Sequence, residues 1–297
     1  MAKILDGNKT ALDIHLEVAT GVANLRNAFG TVPGLAAVLV GDDPASEIYV
    51  SRKGKACQEV GINTKTIRLD NDTTQKKLQD TIVELNTDPA INGILVQLPL
   101  PNHINAQTIQ QTISPKKDVD GLHPFNVGLL MQGNPLFIPA TPAGIQQLLI
   151  RNGYDPAGKH VAICGRSDIV GKPLAILLAQ KHDHANATVT ICHTGTKDLK
   201  ETLQRADIVI AAVGKPRAIT SDMINPGTIV VDVGVNRVPD TTRKTGYRLE
   251  GDVDFAAVEK KAKAISKVPG GVGPMTIAML LVNTLKAATL HTSAGTT

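Results

Sequence analysis

Tyr49 and Lys53 stand four residues apart in a segment that begins Asp43-Pro44 and stops at Gly61. Asp caps helices through its side chain, Pro suits the first turn and Gly ends helices, so residues 44 to 60 are predicted to form one helix. Its core-facing stripe then reads Ala45, Ile48, Tyr49, Arg52, Lys53, Ala56, Cys57 and Val60, at the i, i+3, i+4, i+7 spacing. A lysine on that stripe loses solvent, and a desolvated ammonium gives up its proton more readily. Lys53 is therefore a candidate acid or base near neutral pH. Tyr49, one turn before it, reaches the same small volume, to hydrogen-bond with the lysine or to lie against a flat ligand. The bland alternative is a lysine that snorkels from the stripe edge beside a core tyrosine.

Three further stretches carry polar groups at places where ligands bind. Ile94 to Pro101 reads as a buried strand ending in Gln97 and two prolines, which puts the amide at the C-terminal edge of a sheet. Gln97 either faces a ligand or satisfies a strand-end backbone group. Lys117 to Pro124 is a turn with two carboxylates: Asp118 suits a turn-capping role, while Asp120, before Gly121, is freer to grip a ligand edge with two adjacent N–H donors. Val268 to Thr276 packs three glycines and two prolines into nine residues ahead of a helix. Such a stretch reads either as an exposed peptide wall beside a ligand or as an ordinary loop-to-helix joint.

Val161 to Pro173 runs from an apolar strand through a glycine turn into a helix over Leu174 to Gln180. That is the setting of a dinucleotide-binding turn, with Gly165 for the turn, Gly171 for close approach and the helix N-terminus for the pyrophosphate. The spacing differs from G-x-G-x-x-G, so the motif is only moderately specific. The next strand ends Ile191-Cys192-His193-Thr194, with no carboxylate to take a ribose 2′-hydroxyl, while Arg166 lies in the turn. The balance favours NADP over NAD, against the alternative that Arg166 is a solvated surface arginine.

These residues need a scaffold. Short β-branched runs at Leu35 to Val40, Thr64 to Leu69, Ile94 to Leu98, Val161 to Cys164, Thr188 to Cys192, Ile208 to Val213 and Ile229 to Val233 alternate with helix-length segments. The expected fold is α/β with parallel sheets. The 297 residues fit two domains and hence a cleft. Pro and Gly cluster between about 114 and 142, so the first domain is placed at 1–139 with a returning C-terminal helix in 272–297, and the second, Rossmann-type, at 140–271. A helix is expected from Met275 to about Lys286, with a frayed tail from His291.

Composition narrows the class. Apolar residues make up 42% and charged residues 20%, and a net charge of +4 is spread along the chain. With three Tyr, four Phe and no Trp, a nucleic-acid partner is not expected. No apolar run is expected to reach the roughly 18 to 20 residues that span a bilayer. The N-terminus lacks a signal pattern, and a cytoplasmic protein is expected. Cys57, Cys164 and Cys192 are too few and scattered for a disulfide framework or a metal site.

The stretches 49–53, 96–101, 117–124, 165–173 and 269–276, in that order, closely resemble the bifunctional methylenetetrahydrofolate dehydrogenase/methenyltetrahydrofolate cyclohydrolase family. The resemblance implies NADP-linked oxidation of methylenetetrahydrofolate to the methenyl cation, then hydrolysis to formyltetrahydrofolate. It implies that Lys53 handles protons, Tyr49 positions the folate, Gln97 tunes Lys53 and Asp120 grips the pterin. Leu98, Pro99, Gly271, Gly273 and Pro274 then line the folate, while Thr141, Gly165, Arg166, Ser167, Thr194 and Val235 surround NADP. Position 194 is Thr where some members carry Ser, which keeps a hydroxyl there. A homodimer is also implied. The competing readings are a shikimate-dehydrogenase-like oxidoreductase and a non-catalytic NADP-binding regulator. Short-chain dehydrogenases share Y-x-x-x-K, but theirs follows the glycine turn. No Walker-type phosphate loop is present, so ATP-dependent formate ligation is not expected.

Overall fold

The computed structural model describes residues 1–243 and 246–294. The chain forms two compact units, one of residues 1–11 with 141–276 and the other of 12–140 with the stretch from 277 onward. The expected division kept residues 1–11 in the first domain. The structure groups them with 141–276 instead, because β1 (Lys3–Leu5) pairs in parallel with β11 (Ala264–Ser266).

The three-stranded unit is built on β2 (Gly34–Val40), β3 (Asn63–Leu69) and β4 (Gly93–Val96), parallel and in the order β3-β2-β4. Central β2 is buried at every position. Ala36, Val38 and Val40 pack with Ile94 and Val96 against Leu78, Ile82 and Leu85 of α3 (Gln75–Thr87) and Ile109 of α4 (Ala106–Thr112). A strand buried on both faces reads as a continuous apolar run, which is why β2 and β4 are legible in sequence, whereas β3, at the sheet edge, is exposed or half-buried throughout and shows only its β-branched residues. α1 (Gly7–Phe29) leaves the first unit after Ala11 and meets α10 (Val272–Ala294) inside the second, where Gly21 faces Leu285.

The six-stranded unit has the order β1-β11-β8-β7-β5-β6, with β5 (His160–Cys164), β6 (Thr188–Cys192), β7 (Ile208–Ala211) and β8 (Ile229–Asp232), all parallel. The chain moves from β5 to β6 on one side and then crosses to β7 on the other, so its direction through the sheet reverses at β5. Open α/β sheets bind ligands in the crevice at such a reversal, beyond the C-terminal strand ends. A separate antiparallel hairpin, β9 (Asn236–Pro239) with β10 (Tyr247–Glu250), was not expected from the sequence.

α10 is longer than predicted. It is apolar and long enough to cross a membrane, which differs from the expectation that no run reaches that length. Met275, Ala278, Leu280, Leu281, Ala287 and Ala288 are nevertheless fully buried within the protein. His291 lies in this helix rather than in a frayed tail.

Candidate functional site

α2 (Pro44–Glu59) starts as its sequence requires, with the Asp43 carboxylate accepting the Ser46 N–H at 2.8 Å and Pro44 at the first position. Its buried stripe is Ser46, Val50, Lys53, Ala56, Cys57 and Val60. Ile48 and Arg52, assigned to the core by the sequence, are exposed. The stripe is rotated by part of a turn, because the small Ser46 sits tightly inside while isoleucine at 48 projects outward. Lys53 is on the buried face in either phase, and at 5% exposure it does not snorkel.

What surrounds Lys53 is polar on one side and aromatic on the other. Its Nζ donates to Gln97 Oε1 at 3.1 Å and lies 5.1 Å from the centre of the Tyr49 ring. Gln97 Nε2 in turn donates to the Leu98 carbonyl at 2.7 Å, which fixes the amide with its oxygen toward the lysine. One end of the amide thus satisfies a strand-end carbonyl, as one of the two sequence readings expected, and the other end holds Lys53.

Burial pushes the Lys53 ammonium below the ordinary lysine range, and the negative charge of Asp120 opposes the shift. Asp120 is pushed the other way, above the ordinary carboxylate range, by burial; Lys53 counters this and Asp118 adds to it. A cation and an anion each destabilised by burial and each propped by the other form a pair whose proton balance a bound ligand can tip. One turn along α2, burial raises the Cys57 thiol to about 12, so it stays protonated and takes no part.

The turn holding Asp120 is braced from three directions. Asp118, fully buried, accepts the His123 N–H at 2.8 Å, the Leu122 N–H at 3.2 Å and Asn126 Nδ2 at 2.7 Å, the last from α5 (Pro124–Met131). Asp118 is therefore the capping residue and Asp120 the one left over. Ile94 of β4 bonds to the Lys117 carbonyl at 2.7 Å, tying the turn to the sheet. Asn283 of α10 donates to the Val119 and Ile138 carbonyls at 2.8 and 2.9 Å. The sequence reading missed Asn283, since a polar residue amid an apolar helix was the only signal.

The residues assigned to the cofactor lie in the six-stranded unit, all but Thr141 just beyond the C-terminal strand ends. Gly165 follows β5 with φ +129°, a value that side chains avoid. A Cβ at Gly165 would run into the Ala212 carbonyl beyond β7, and one at Gly171, the first residue of α7 (Gly171–Ala179), would strike the Gly165 carbonyl. Both glycines are thus demanded by a backbone crossing at the point where the strand order reverses. Ser167 Oγ accepts the N–H groups of Val170 and Gly171 at 3.2 and 3.4 Å, leaving its own proton free to be donated. Arg166 is exposed, and among the described residues no carboxylate pairs with it.

Neighbouring strands bring Thr194 and Val235 to the C-terminal edge of the same sheet. Cys164 and Cys192 are register partners, and the Gly165 N–H bonds to the Cys192 carbonyl at 2.8 Å, so exposed Thr194 stands beside the β5 turn. Val235, 62% exposed, follows β8. Thr141, at the start of α6 (Ala140–Arg151), shares a 3.0 Å hydrogen bond with Thr276. A free guanidinium, a donor hydroxyl and a glycine-lined backbone at a strand-order reversal fit a dinucleotide phosphate group.

The proline-glycine stretch divides in two. Gly270 has φ +103°, and its carbonyl accepts the Gly7 N–H at 2.9 Å. A Cβ at Gly271 would meet the Lys267 carbonyl at 2.6 Å. Gly273, beside Pro274 in the first turn of α10, would meet nothing within 4 Å. Packing accounts for the first two glycines, and only Gly273 is left without a reason inside the fold. These residues and the Lys53 group belong to different units.

Residues 5–120 match the family model of the tetrahydrofolate dehydrogenase/cyclohydrolase catalytic domain, and residues 139–292 that of its NAD(P)-binding domain. The bifunctional protein FolD of Pelodictyon phaeoclathratiforme is 51% identical over 286 residues, covering 96% of this chain and 97% of its own. Among solved structures, the bifunctional FolD of Campylobacter jejuni superposes with a TM-score of 0.91 at 45% identity, covering 98% of this chain and 99% of its own. That of Trypanosoma brucei, complexed with NADP and an inhibitor, gives 0.92 at 39% identity over 97% and 98%. Matched along both halves of its sequence and over nearly the full length of its relatives, the chain belongs to the tetrahydrofolate dehydrogenase/cyclohydrolase family.

Proposed function

We propose that this chain is a bifunctional enzyme of one-carbon metabolism. It oxidises 5,10-methylenetetrahydrofolate to the 5,10-methenyl cation with NADP and hydrolyses that cation to 10-formyltetrahydrofolate. The observation that carries the hydrolytic half is a buried lysine held by an amide, with a tyrosine ring and an acid beside it. Family membership carries the oxidative half. NADP supplies the hydride acceptor for the oxidation, and Arg166, Ser167, Thr194, Thr141 and Val235 would hold it.

In the hydrolysis a water adds to the methenyl carbon, one carbon–nitrogen bond breaks, and the net products are the formyl compound and one proton. Lys53, its amine favoured by burial, takes the proton of the attacking water and passes one to the departing nitrogen. Gln97 accepts an N–H of Lys53 and so aims the lysine's remaining substituents. Tyr49 packs on the flat ligand, Asp120 binds paired N–H donors of the pterin, and Leu98 and Pro99 shape the folate site. The three-stranded unit is accordingly the folate-binding part and the six-stranded unit the NADP-binding part. A cytoplasmic homodimer belongs to the same reading, on family resemblance, and its molar mass in solution checks the dimer.

The test follows NADPH formation and the methenyl product at separate wavelengths after adding methylenetetrahydrofolate to purified protein. Both signals should rise, with the methenyl signal then decaying faster than without enzyme. A protein that binds NADP but reduces none is a regulator instead. For cofactor selection, Arg166→Ala should raise the KM for NADP about 10- to 100-fold while changing that for NAD little, since the lost partner is a charge-assisted contact to the 2′-phosphate. Equal effects on both cofactors would remove Arg166 from that role.

A further inference from the structure

Two buried aspartates lie beneath the C-terminal ends of β7 and β8, and none of the chemistry above uses them. Asp232 is the last residue of β8; Asp252 follows β10 and is fully buried. Asp252 Oδ2 accepts the N–H groups of Val213 and Gly214, at 2.5 and 2.8 Å, and its Oδ1 accepts Asn236 Nδ2 at 2.9 Å. Asp232 accepts the Gly234 and Asp252 N–H groups through Oδ1, at 3.0 and 2.9 Å, and the Val253 N–H through Oδ2 at 3.0 Å. One carboxylate thus ties the loop after β7 to the loop after β8, and the second holds the first in place.

Burying two carboxylates is unfavourable, and burial raises Asp232 to about 6. An apolar pair would fill the same space without that cost. What the carboxylates provide is direction: each oxygen fixes backbone N–H groups of an otherwise irregular loop. Of the loops they fix, the one after β7 borders the strand-order reversal at β5 and the one after β8 lies beside it. Ala212, next to Val213, is the residue whose carbonyl presses on Gly165, and Val213 and Val235 project into solvent at 44% and 62% exposure. Two exposed valines on adjacent strand ends, beside a phosphate-binding turn, suit the flat ring of a dinucleotide.

We propose that Asp252, seated by Asp232 and joined to Asn236, is a positioning residue for the cofactor, holding the loops 213–214 and 234–236 in the shape that receives the dinucleotide's ring. This rests on the reading that the six-stranded unit binds NADP. Asp252 touches the loops and not the 2′-phosphate, so its loss falls equally on NADP and NAD, unlike the loss of Arg166.

The experiment measures dissociation constants of NADP and NAD by calorimetry, and kcat at saturating cofactor, for the wild type, Asp252→Asn and Asn236→Ala. Asparagine at 252 keeps the size but turns an NH₂ toward a donor, and both dissociation constants should rise roughly tenfold in step with kcat within about twofold. Asn236→Ala removes one of the three bonds and should raise both about threefold. It leaves the buried carboxylate bound to Val213 and Gly214, so it tests the idea if Asp252→Asn fails to fold. Unchanged affinities in a folded variant, or a loss for NADP alone, would overturn the proposal. A wild type that binds neither nucleotide would instead overturn the reading on which it rests.

Discussion

Replacing Lys53 with methionine is expected to lower cyclohydrolase turnover by roughly 10² to 10⁴, the usual worth of a positioned proton-transfer group. Folding should survive, because methionine fills a similar volume and removes a charge that burial already disfavours. The local penalty is the unpaired Gln97 Oε1, which loses its one hydrogen-bond donor among the described residues. Oxidation should suffer less than hydrolysis, since hydride transfer needs the folate held and not a proton moved. The measurement is the decay of added methenyltetrahydrofolate alongside a thermal melt. Wild-type decay in a folded variant would take Lys53 out of the mechanism.

The second large effect is expected at Asp120, where asparagine should weaken binding of a folate analogue by on the order of 2 to 4 kcal/mol although size barely changes. An amide offers one acceptor oxygen where the carboxylate offers two, and sets an NH₂ against a ligand donor. NADP affinity should stay constant, because the cofactor residues lie in the other unit. Removing the carboxylate also acts on Lys53: Asp120 raises the lysine's proton affinity, so its loss lowers it further. Lys53 then loses its proton at lower pH, and the lysine-dependent limb of the hydrolysis profile moves in the acidic direction. Separate titrations with folate analogue and NADP, plus a pH profile, check both parts. Equal losses for the two ligands would mean that Asp120 merely braces its turn, as Asp118 does.

The longer parallel strands and α2 were legible because each carries a local signal: a β-branched run, or a cap, a proline and a terminal glycine. The Lys53 group was legible for the same reason, since α2 and the end of β4 each place their residue by local rules. What escaped depends on contacts remote in the chain. β1 and β11 are three residues each, too short for any period, and only their pairing shows where the first eleven residues belong. Nothing near Gly270 tells that Gly7 lies against it. The phase of the α2 stripe was misread because apolar type was taken for burial, whereas Ser46 is inside and Ile48 outside. The carboxylates at 232 and 252 were invisible for a third reason: each serves backbone N–H groups, which every sequence has.

The pairing of β1 with β11 has a consequence for how the protein is made. Leu5 meets Ser266, so about 260 residues separate partners in one sheet. At the usual pace of roughly 5 to 20 residues per second, the first strand waits on the order of 13 to 50 s before its partner leaves the ribosome. During that interval the sheet that will receive it lacks its outer two strands, and α1 begins from a segment with nothing to rest on. Neither unit is a continuous stretch of chain, so both wait for α10 to be translated. A ribosome-bound chain stalled short of residue 264 should accordingly hold a protease-sensitive N-terminus that full-length protein protects.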